Sequence, residues 1–148
     1  MKLYLFIVTL SVILISCNTT ENTASVYNTD DCNADSERIS MKSLSDSVNF
    51  YDKKRVEISG YFSYGIEESA LFARKTHGSN EFSLWVEFKA GLVDSLVKRE
   101  LPGENIFSKI SGKRIKIRGI LYSNSHGHLG QDSASVKDVC YLEISNGF

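Results

Sequence analysis

His126, Gly127, His128, Leu129 and Gly130 stand in a row inside a polar stretch, Tyr122 to Ser135, that also carries Ser125, Asp132 and Ser133. Two of the chain's three histidines are thus two residues apart. In an extended segment that spacing turns both imidazoles to the same side. As metal ligands they need company, because a zinc site takes three or four placed donors with hydrogen-bonded support behind them. Glu67, Glu68, His77 and Asp132 are candidates for that company, but only the His-x-His pair is held together by the sequence itself. As a hydrolytic set, Ser125, His126 and Asp132 have the right types, yet triads draw their members from separate elements. The chain has no Gly-x-Ser-x-Gly elbow, phosphate-binding loop, His-Glu-x-x-His or Cys-x-x-Cys pattern. As a structural turn, Gly127 and Gly130 supply positive φ while a histidine hydrogen-bonds loop carbonyls. The reading leans to the structural turn, with a direct ligand contact next. No catalytic residue, metal or cofactor is expected.

Strands must hold this loop. "KKRVEISGYF" (Lys53 to Phe62) and "GKRIKIRGIL" (Gly112 to Leu121) repeat one pattern, Lys-Arg-β-branched-x-Ile-x-Gly-x-apolar. Val56, Ile58, Gly60 and Phe62 alternate with polar residues, as do Ile115, Ile117, Gly119 and Leu121, which is the period of a strand with one buried face. The glycine in each marks a sharp bend or a bulge, as when a small sheet curls into a barrel. Two further short strands, Ala70 to Thr76 and Phe82 to Lys89, flank the turn signal His77-Gly78-Ser79-Asn80. Leu92, Val93, Leu96, Val97 and Leu101 recur at helical spacing until Pro102-Gly103, and Val136 to Ile144 reads as the last strand. A helical lead-in is expected over Ser43 to Phe50, with Leu44 and Val48 inward and Ser43 as its cap. Parity puts Leu84, Val86 and Phe88 in the core and turns Trp85 outward, near Arg74 and Phe72, either free to stack on a ligand or covered by a neighbouring segment. Lys113, Arg114, Lys116 and Arg118 read as a solvated strand face.

The N-terminal residues carry a different signal. Lys2 precedes an uncharged apolar run, Leu3 to Ile15, that is shorter than the roughly 20 residues of a membrane span. The run ends on Leu14-Ile15-Ser16-Cys17, which resembles the lipobox of bacterial lipoproteins. The resemblance implies a signal peptide over 1–16, a membrane anchor of palmitate-class acyl chains on Cys17, and, from Asn18 behind it, the outer rather than the inner membrane of a cell envelope. Residues 17–35 are rich in Asn, Thr, Ser and Asp and read as a flexible tether. Cys32 and Cys140 are left over, and an oxidising compartment favours a disulfide between them. Removing the leader takes only Lys2 from the charges, leaving 16 basic and 18 acidic residues, too even a balance for a large electrostatic footprint on nucleic acid or anionic lipid.

Residues 36–148 form the folded domain. Their order of strand, strand, strand, helix, strand, strand resembles the OB-fold, so the expected class is all-β with one short helix, a five-stranded Greek-key barrel. "LSDSVNFYDKKRVEISGYF", the Leu84-Trp85 pair, "GKRIKIRG" and "HGHLG" together are similar to a group of uncharacterised bacterial proteins with OB-like domains, many of them exported or lipid-anchored. That resemblance implies fold and loop identity and brings no activity with it. In OB-folds the loops after strands one and four flank the ligand face. By that analogy the ligand-binding candidates are His126, Gly127, His128, Gly130, Trp85, Arg74 and Glu67. The expected function is an envelope lipoprotein whose barrel is a binding or interaction module for an envelope protein, a glycan or a peptide. The alternatives are a metal-dependent or hydrolytic enzyme working through His126 and His128, and an oligonucleotide binder, which charge and location disfavour.

Overall fold

The structure, a computed structural model, describes residues 24–32, 35–78, 80–100 and 105–145. Residues 1–16, expected to be a signal peptide, and Cys17, Ser79, Leu101 and Pro102-Gly103 lie outside the described residues. The elements are Ser25–Asn28 (β1), Glu37–Ile39 (β2), Met41–Ser47 (α1) with a 3₁₀ turn over Val48–Tyr51, Arg55–Gly65 (β3), Glu68–Phe72 (β4), Ser83–Phe88 (β5), Ala90–Glu100 (α2), Ile106–Ile110 (α3), Arg114–Tyr122 (β6) and Ala134–Ile144 (β7).

Five of the strands close on themselves. β3 pairs antiparallel with β4, β4 with β5, β6 with β7 and β6 with β3, while β5 meets β7 in parallel. That order and the helical crossover between β5 and β6 make the molecule an all-β, OB-like barrel. Its interior is built from the residues that alternation marks: Val56, Ile58, Phe62, Leu84, Val86, Ile115, Ile117 and Leu121 are all buried. α2 adds Leu92 and Leu96, and α3 adds Ile106 and Ile110.

The two strand glycines sit where backbones nearly touch. A Cβ on Gly60 would lie 2.6 Å from the Phe72 carbonyl oxygen, at the point where β3 leaves β6 for β4. A Cβ on Gly119 would lie 2.7 Å from the Lys137 carbonyl oxygen, where the register of β6 against β7 shifts. Only a residue without a side chain lets the sheet fold this tightly.

Several features differ from the sequence reading, among them a short strand, β2, that the sequence did not suggest. Residues 25–28 of the expected tether form a strand on β7, with Tyr27 buried and Thr29 N–H donating to the Cys140 carbonyl at 2.9 Å. Polar composition does not forbid this, because an edge strand is held by backbone hydrogen bonds and needs only one side chain in the core. A disulfide joins Cys32 to Cys140 and fastens the segment, as the cysteine count leads one to expect. The described residues hold three α-helices rather than one with a lead-in: α3 is too short for a periodic signal, and α1 starts two residues early, its cap being Ser40, whose hydroxyl accepts from Ser43 N–H at 3.0 Å. β4 also ends at Phe72, short of the Thr76 expected.

Candidate functional site

The loop Ser123 to Ser133 between β6 and β7 folds back over β5. His126 is not free: its Nδ1 lies 2.9 Å from the Asp132 carbonyl oxygen, and Asp132 N–H donates to the His126 carbonyl at 3.1 Å. The two contacts tie the ends of the glycine turn together, the structural role the residue types allow. Ser135 Oγ donates to the Ser125 carbonyl at 2.7 Å and pins the base of the loop. Gly127 (φ +75°) and Gly130 (φ +70°) both occupy the left-handed region. Gly127 is tight as well as left-handed: a Cβ there would lie 2.6 Å from Asp132 Oδ2 and 2.9 Å from Cε3 of Trp85.

Trp85 is therefore covered in part by the loop. It points outward from the barrel, as parity requires, but the backbone of Gly127 rests on its indole and leaves it half-buried. A shallow depression of about 280 Å³ remains beside it, lined by Trp85, Glu87, Ser125, Gly127, His128 and Lys137.

A second hollow, of about 300 Å³, opens on the other side of the same loop. Its walls are the β3–β4 turn (Ile66, Glu67), β4 with the segment behind it (Glu68, Ala70, Phe72, His77, Gly78, Glu81), Ser83 of β5, and the loop itself (Leu129, Gln131, Asp132). Two apolar side chains stand at its edge, Ile66 at 97 % exposure and Leu129 at 52 %. Its polar lining is acidic: Glu67, Glu68, Glu81 and Asp132. Asp132 Oδ1 accepts from Ser83 Oγ at 2.7 Å, and burial of the carboxylate raises its pKa above the ordinary value despite that bond. Glu67 has φ +58°, an unusual backbone for a glutamate, which aims the tip of the turn at the loop: His128 Nε2 lies 4.0 Å from Glu67 Oε1.

The expected site residues thus divide. Glu67 lines the acidic cleft, whereas His128, Gly127 and Trp85 line the shallow depression and His126 and Gly130 shape the loop between them. Arg74 belongs to neither: its guanidinium donates twice to Glu81 at 3.2 Å, out in solvent. Trp85 and Arg74 do not form one stacking face. His126 and His128 gain no third donor, for no group of three His, Cys, Asp or Glu side chains among the described residues is arranged to hold a metal. His77 instead stacks flat on Phe72, ring centroids 3.5 Å apart. Sequence reasoning missed Ile66, Leu129, Glu81 and Ser83. The signal for the first two was present, since a large apolar residue at the tip of a polar turn has no core to enter.

Fold and cleft together describe an OB-like barrel whose β3–β4 turn and β6–β7 loop meet over strands β4 and β5. No family model matches the chain, and neither a curated protein nor a solved structure matches it.

Proposed function

We propose that the chain is a lipid-anchored envelope protein whose barrel binds a peptide or glycan segment in the acidic cleft. One observation carries the binding part: the β3–β4 turn and the β6–β7 loop, the two loops that flank the ligand face in OB-folds, wall a cleft with exposed Ile66 and Leu129 over a carboxylate lining. Such a cleft favours a ligand with both an apolar group and a cation, because the apolar edges reward the first and a lining that holds four acids, only Glu81 of them bound to an arginine, rewards the second. The Leu14-to-Cys17 pattern supports the anchor, and the Cys32–Cys140 bridge accords with an oxidising compartment.

Each half has its own test. Cys17→Ser should abolish lipid labelling and leave uncleaved precursor; unchanged labelling and membrane fractionation refute the anchor. For the cleft, the lipidated chain in detergent is titrated against a panel of short basic-apolar peptides and cell-wall glycan fragments. The best binder should weaken about tenfold or more in a Glu68→Gln/Leu129→Ser variant whose melting is unchanged. Equal binding by the variant, or no binder in the panel, refutes the cleft.

A further inference from the structure

A third hollow, of about 380 Å³, lies away from the acidic cleft and has the opposite charge. Its cations come from three elements: Arg38 of β2, Lys42 in the first turn of α1, and Arg114 at the start of β6. The carboxylate at this hollow, Glu57, is already committed, with Arg38 Nε at 2.7 Å on one oxygen and Arg118 Nε at 2.7 Å on the other. Lys42 and Arg114 make no ion pair among the described residues and are exposed. The hollow is therefore a concentration of positive charge on a chain whose overall balance is near neutral.

Register places the start of the tether beside it. Ser25, the first residue of β1, lies opposite Ile144 of β7, and Ile144 lies opposite Ile115 of β6. Ser145 N–H donates to the Arg114 carbonyl at 3.0 Å. Two strand spacings, about 10 Å, thus separate the tether's entry from the strand that carries Arg114. Residues 18–24 join Cys17 to β1, a span of at most roughly 25 Å. The Cys32–Cys140 bridge fastens the segment after β1 to β7, so the tether begins before β1 and not after it.

We infer that the Arg38/Lys42/Arg114 hollow is a membrane-docking site that takes the phosphate of an anionic lipid headgroup. The inference rests on the anchoring reading above. A short tether holds the barrel at high effective concentration against the bilayer, and the basic hollow, whose Arg114 edge lies near the tether's entry, offers charge complementary to anionic phosphate.

The test is lysine footprinting of the lipidated full chain in vesicles, with the lipid on Cys17 verified by mass in the same sample. Exposed Lys53, at the opposite end of the β3–β6 pairing, serves as internal control. In vesicles containing phosphatidylglycerol, acylation of Lys42 should slow about fivefold relative to purely zwitterionic vesicles, while Lys53 is unchanged and high salt restores the rate. Arg114→Glu should remove most of that protection. Equal labelling of Lys42 in both vesicle types, with Cys17 lipidated, overturns the docking site alone. Protection by inorganic phosphate in zwitterionic vesicles, to the same degree, overturns the lipid as its occupant. Absence of lipid on Cys17 overturns both the anchor and the docking site.

Discussion

Gly127→Ala should open the loop over Trp85 and leave the barrel standing. The added methyl meets two obstacles: a left-handed backbone, which disfavours an L side chain by about 1–2 kcal/mol, and neighbours at 2.6 and 2.9 Å, where forced overpacking costs about 1–3 kcal/mol. With the loop closed the total is about 2–5 kcal/mol. Against this stand the His126–Asp132 pair of contacts and the Ser135–Ser125 bond, each contributing about 0.5–1.5 kcal/mol. The two sums are comparable, so the loop gives way before β5 does, and the net loss is capped at what closure is worth, roughly 2–4 kcal/mol. For a domain of this size that lowers Tm by roughly 10 °C. Trp85 is the chain's single tryptophan, so its emission reports this one place and should shift to the red as water reaches the indole. Gly130→Ala is the matched control. It has the same backbone handedness, φ +70°, but nothing within 4 Å of the new Cβ. It should lose only the backbone part, about 1–2 kcal/mol, and keep the wild-type emission. Wild-type emission and melting in Gly127→Ala, or an equal red shift in Gly130→Ala, would refute the reasoning that the loop closes on Trp85.

Glu57→Gln should cost about 1–3 kcal/mol at neutral pH, most of it through Arg118, since Arg38 lies 81 % in solvent and its bond is screened. Burial alone would raise the Glu57 pKa, but the Arg118 and Arg38 hydrogen bonds outweigh it and hold the carboxylate below its ordinary 4.5. Its stabilisation is therefore present above about that pH and lost as pH falls through the lowered value; denaturant melts of wild type and variant should converge in acid and not elsewhere. Asp132→Asn should behave oppositely. Burial raises this pKa above 3.8, so the folded state prefers the protonated form, and stability from this group is lost as pH rises through the raised value. Because the amide oxygen still accepts from Ser83 Oγ, the variant should melt no lower than wild type at pH 7, with the wild type gaining on it as pH falls. Reducing Cys32–Cys140, which spans 108 residues, should cost about 2–5 kcal/mol and speed hydrogen exchange in β1 before β3; equal protection in both strands after reduction would count against β1 as a stapled edge.

The barrel was legible because its information is local and periodic. Alternation at Val56–Phe62 and Ile115–Leu121 gives the buried face, and Gly60 and Gly119 mark where curvature needs a missing side chain. β1 was not, because Ser25–Asn28 contributes one core residue, Tyr27, and its partner lies more than a hundred residues away. The loop's identity could be read, and its geometry could not. His-x-His spacing says that two imidazoles can face one way, but the loop is bent, so His126 turns back to Asp132 while His128 faces Glu67. Alternation turns Trp85 to the outer face, where it is found; whether that face is free depends on a contact 42 positions down the chain.

Charge misleads for a related reason. A chain with 17 basic and 18 acidic residues looks electrostatically silent, yet net charge is a sum and folding separates its parts. Arg38, Glu57, Arg118 and Tyr141 fall on one rung across β2, β3, β6 and β7, so the acid at its centre is spent on two guanidiniums and contributes no field to the surface. Arg118 also lies 4.3 Å over the Tyr141 ring, whose hydroxyl donates to Glu143, the partner of Lys116. Pairing consumes opposite charges where strands bring them into register and leaves the remainder where register runs out: Lys42 and Arg114 at the start of α1 and of β6, Glu67 and Glu68 at the β3–β4 turn. Two clefts of opposite sign on one near-neutral barrel follow from that division. They are also what separates the two proposed contacts, one with a lipid phosphate and one with a cationic ligand, so that neither surface competes for the other's partner.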